Sequence, residues 1–69
     1  MSVVKEFLET ALEKRPSGDT LLKITNPMRS YTPQQKDIIM EKLIPAIKES
    51  KTDKELELTA ERIYQETSF

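Results

Sequence analysis

The sequence predicts an all-α protein, a small three-helix bundle with a short extra helical turn between the first and second main helices. Three observations carry this expectation. Apolar residues recur at three- and four-residue steps in three separate segments, helix-start signatures stand at Thr32 and Thr52, and no segment alternates apolar and polar residues with strand-like content. At 69 residues the chain has room for one domain, read as 1–69.

Ser2 is placed to cap the first helix, in which Val3, Val4, Phe7, Leu8, Ala11 and Leu12 fill about half the circumference. Lys5, Glu6, Glu9 and Glu13 take the other side, so this is a one-sided amphipathic helix. It is expected to stop near Lys14-Arg15, where basic side chains suit the negative end of the helix dipole and Pro16-Ser17-Gly18 follows. Asp19 is the expected cap of a short element through Leu21, Leu22 and Ile24, one or two helical turns long. Asn26-Pro27 ends that element. Pro27 to Tyr31 reads as an irregular connector.

Thr32-Pro33-Gln34-Gln35 combines a threonine cap, a proline at the first helical position and a glutamine able to return a hydrogen bond. In the helix that starts there, Ile39, Met40, Leu43, Ile44, Ala46 and Ile47 share an arc of roughly 160°. Ile38 falls outside it with Glu41, Lys42, Pro45 and Glu49. Pro45 cannot donate to the carbonyl of Glu41, which predicts a bend or break in that turn. Thr52-Asp53-Lys54-Glu55 repeats the capping-box pattern and starts the last helix, with Leu56, Thr59, Ala60, Ile63, Tyr64 and Thr67 inward. The short turn between them makes the last two helices an antiparallel hairpin. Leu58, Arg62, Gln65 and, if the helix persists to the terminus, Phe69 lie on its far side.

Composition excludes much chemistry. With no histidine and no cysteine, the commonest general base, the thiolate nucleophile and the usual ligands of a structural zinc are all missing. The carboxylate pairs Glu57/Glu61 and Glu9/Glu13 are expected on solvated faces, because helical carboxylate sites normally add a histidine and face a bundle interior. Ser17 and Ser30 suit caps and turns, and Gly18 alone makes no phosphate-cradling loop. The reading is therefore a protein without catalytic residues, cofactor or metal. The amino terminus is not read as a signal peptide and no apolar run approaches a membrane span. The missing cysteines lean towards a cytoplasmic setting, and small size towards a bacterial or phage protein.

Eleven basic against twelve acidic side chains leave a net charge of −1, so no global field attracts nucleic acid. A helix-turn-helix-like DNA reader is the second reading. Against it, the last helix is acidic with Arg62 as its one basic residue past Lys54, and Lys36, Lys42 and Lys48 point in directions roughly 120° apart. A third reading is a helical domain without an exposed site. The favoured one is a protein-interaction module or regulator that binds another protein, or itself as a homodimer. Its contact residues are Leu58, Arg62 and Phe69, with Ile38 and Pro45 nearby, and Met28 and Tyr31 on the connector, the alternative for these last two being that they fold back to cover one end of the core.

Overall fold

A computed structural model of the chain describes residues 2–67 and 69. It is all-helical among those residues, with four α-helices: α1 (Val3–Lys14), α2 (Gly18–Thr25), α3 (Pro33–Glu49) and α4 (Asp53–Glu66). A 3₁₀ turn over Asn26–Ser30 joins α2 to α3. The extra turn predicted between the first two main helices is thus a helix of eight residues in its own right, continued without a gap into the 3₁₀ segment.

Local chemistry sets the ends. Ser2 Oγ accepts from the Lys5 amide at 3.1 Å, which satisfies one of the free N–H groups at the start of α1. Arg15 closes that helix in the left-handed region at φ 52°, its N–H returning to the Ala11 carbonyl. The cap of α2 is Ser17 and not Asp19: its hydroxyl oxygen accepts from the Thr20 amide at 3.2 Å. The short residue three positions before the first buried side chain wins, and Asp19 instead sits in the first turn, where its charge suits the dipole. Thr32 and Gln35 form the full capping box, Gln35 N–H donating to Thr32 Oγ1 at 3.2 Å and Thr32 N–H donating to Gln35 Oε1 at 3.0 Å. Thr52 caps α4 through the Glu55 amide at 3.1 Å.

Helix α3 runs unbroken through Pro45. Pro45 and Glu41 are both exposed, so the carbonyl that the proline leaves without a donor belongs to the outer side of the helix. The helix is therefore bent at most, and not broken, in the turn of Pro45.

The helices pack in the order α1, α3, α4, α2, with α3 and α4 central. Helices α2 and α4 run parallel, since Ser17 meets Asp53, Thr20 meets Glu57 and Ile24 meets Tyr64 in sequence along both. The core gathers Phe7 from α1, Ile24 from α2, Met28 from the 3₁₀ turn, Ile39, Leu43 and Ile47 from α3, and Leu56 and Ala60 from α4. Helix α1 has α3 as its main neighbour, so an apolar arc of half the circumference meets chiefly one surface.

Candidate functional site

That geometry leaves a ridge in the open. Val3, Phe7 and Ala11 turn towards α3, whereas Val4, Leu8 and Leu12 are 43, 54 and 74 % exposed. The three stand at i, i+4 and i+8, one of the rows that helices use to pack against each other. On the solvent side the next row is Lys5, Glu9 and Glu13, all exposed. Scattered surface leucines are ordinary, but a row of three on one helix is a packing surface without a neighbour.

The residues predicted to form the partner surface divide. Leu58, at 58 % exposure, stands on the outer face of α4 with the exposed Arg62, and Ile38 at 42 % stands on the outer face of α3 with the exposed Pro45. Met28 does not belong to a surface. It is buried at 6 % in the core cluster, because the 3₁₀ turn folds the connector back over the end of the bundle. Tyr31 is half-buried between two rings, 6.3 Å from Tyr64 in a tilted arrangement and 5.1 Å from Phe69 edge-on.

Phe69 leaves the Leu58 row. Helix α4 ends at Glu66 and Thr67 turns extended, so the terminal ring, 53 % exposed, seats against Tyr31 instead of continuing the α4 stripe. Edge-to-face contact with a half-buried tyrosine offers that ring more than an exposed helix position would.

The sequence reading missed the α1 ridge. Its signal was the width of the apolar arc: about half the circumference exceeds the stripe that a helix with a single neighbour covers.

A groove of about 410 Å³ runs between α2 and α4, walled by Ile24, Pro27 and Tyr64 and rimmed by Lys23, Glu57, Glu61 and Gln65. Its polar groups are tied into the fold. Thr20 Oγ1 accepts from the Ser17 hydroxyl at 2.9 Å and donates to Glu57 Oε2 at 2.8 Å, and Lys23 Nζ lies 3.3 Å from Glu57 Oε1. The Thr20 hydroxyl first and Lys23 second hold the Glu57 carboxyl below the usual carboxylate range. Glu57 is therefore a strut between helices and not half of a proton-sharing pair with Glu61. Tyr64 donates its hydroxyl hydrogen to the Ile24 carbonyl at the end of α2. Among the described residues, no three carboxylates gather in a way that would hold a metal ion, and no helix is long and apolar enough to cross a membrane.

Burial, with a smaller contribution from Tyr31, pushes the Tyr64 phenol up to about 12. The folded form thus holds its proton more tightly than the unfolded chain, whose phenol titrates near 10. The resulting stability is complete below pH ~10 and is lost as the pH rises towards ~12. Urea midpoints taken across that range should fall in the wild type and fall less in Tyr64→Phe. Parallel profiles for the two proteins would contradict the assignment.

No protein-family model matches this chain, and comparison with curated proteins and with solved structures gives no match.

Proposed function

We propose that this protein is a non-catalytic binding module whose work is to dock against another protein chain through the exposed ridge of α1. The observation that supports this reading is the row Val4, Leu8 and Leu12, presented by a helix that packs chiefly on α3 alone. Apolar faces of this kind are the ordinary currency of helix recognition, in which anchors at i, i+4 and i+8 enter the groove of a partner. The lack of histidine and cysteine and the structural ties of Glu57 and Tyr64 favour binding over chemistry. Leu58 with Arg62, and Ile38 with Pro45, form smaller secondary patches on α4 and α3.

The test compares the wild type with Leu8→Glu and Leu58→Asp in protein capture from a lysate of the source cell, with far-UV circular dichroism as the fold control. Both variants should keep their helicity, because both positions are exposed. Capture should fall at least tenfold in Leu8→Glu, the change expected when a charge enters the centre of an apolar contact, and less in Leu58→Asp. Equal capture by wild type and Leu8→Glu would remove α1 from the binding face, and loss of capture in Leu58→Asp alone would move the function to α4.

A further inference from the structure

We infer that the occupant of the α1 ridge is a second copy of this chain, paired helix to helix in antiparallel fashion about a two-fold axis at Leu8. The inference rests on the reading of α1 as a protein-binding face and adds the identity of the partner.

Self-complementarity is the first argument. A two-fold axis at Leu8 sets Leu8 beside Leu8 of the second copy and Val4 beside its Leu12, so the least exposed anchor meets the most exposed one. Rows spaced by four residues interlock at a crossing near −50°. The row on the other side, Val3, Phe7 and Ala11, is engaged with the core, so only the outer groove is open to a partner.

Charge then fits the antiparallel orientation. The wall of that outer groove is the row Lys5, Glu9 and Glu13. In the antiparallel pairing Lys5 comes level with the gap between Glu9 and Glu13 of the second copy, about 3 Å of helix rise from each. The symmetric contacts are therefore attractive, apart from Glu9 meeting Glu9 at the axis. A parallel pairing about a two-fold axis would instead set the row Lys5, Glu9 and Glu13 against the Val3, Phe7 and Ala11 side of the second copy, which is engaged with the core and offers no charge to meet it.

Area sets the strength. A standard interface buries roughly 800 Å² on each side, about a sixth of the 5077 Å² surface of this chain. One face of a twelve-residue helix falls short of that, so the dimer belongs to the weak, concentration-dependent class, with a Kd on the order of micromolar or weaker.

Sedimentation equilibrium over a wide concentration range tests the proposal. The mass should rise from 8.0 kDa towards twice that value in the wild type. Leu8→Glu should weaken the association at least about tenfold. Lys5→Glu should weaken it about three- to tenfold, and adding Glu13→Lys should restore about half of the loss, because the swap pairs positions 5 and 13 again while position 5 still meets Glu9 with like charge. Since the chain contains no cysteine, Leu8→Cys introduces the sole thiol, and oxidation should link two copies through it.

A wild type that stays monomeric at every concentration overturns the self-pairing. Capture of other proteins that still depends on Leu8 would then leave the binding reading standing, whereas Leu8-independent capture would remove both. A dimer insensitive to Leu8→Glu, or one that the Glu13→Lys swap fails to restore even in part, overturns the proposed geometry.

Discussion

Leu43→Ala should cost about 2–5 kcal/mol and lower the melting temperature by at least about 8 °C. Leu43 is completely buried at the middle of α3, flanked one turn either side by Ile39 and Ile47, which are also buried. Truncation removes apolar contact and leaves a cavity that rigid helical neighbours close only in part. A domain of this length has a total stability of roughly 3–10 kcal/mol, so the loss takes a large share of it. The matched control is Leu12→Ala on the open ridge. Measured in dilute solution, where dimerisation does not contribute, its change should stay within about 0.5 kcal/mol. Thermal and urea unfolding of the two variants check the contrast, and similar shifts for both would mean that Leu12 is covered within the single chain.

Thr20→Val should be the next most damaging change, at about 1–3 kcal/mol. Thr20 is fully buried, and valine keeps its shape while deleting the hydroxyl that accepts from Ser17 and donates to Glu57. The Ser17 cap on the Thr20 amide survives, so the loss falls on the seam between α2 and α4 and not on helix formation. The same substitution carries a titration signature. Because the folded Glu57 carboxyl lies below its ordinary value, its contribution is present above the unfolded pKa and is lost as the pH falls through the folded one. Without the Thr20 hydroxyl, the largest cause of that lowering, the Glu57 titration should move upward and the acid limb of the stability profile should flatten. Carboxyl NMR titration and acid unfolding of both proteins report this, and an unmoved Glu57 would show that Lys23 alone holds the carboxylate.

The all-helical class, the start of α1 at Ser2, the capping box at Thr32 and the start of α4 after Thr52 were all legible, because each rests on groups within three residues of each other. The inward row of α3 was legible for a related reason. A central helix is covered on most of its apolar arc, so the apolar arc and the buried arc coincide. Ser17 was harder to read, since Ser17 and Asp19 are both good caps and the choice turns on Thr20 being drawn into the seam against Glu57. The connector was open to two readings, since Met28 and Tyr31 are residue types found at interfaces and are also placed to fold back over one end of the core, and the return of the 3₁₀ turn over the bundle end bears out the second reading for Met28. Phe69 looked like an extension of the Leu58 row until the helix was seen to end at Glu66.

The sequence by itself determined where α1, α3 and α4 begin and which side of each is apolar, because capping and side-chain periodicity are short-range. Tertiary structure alone decided how much of each apolar side is covered. With α3 and α4 central and α1 packed mainly on α3, the outer half of the α1 arc is left without a neighbour. That outcome depends on which helices meet across long stretches of chain, and no local pattern encodes it.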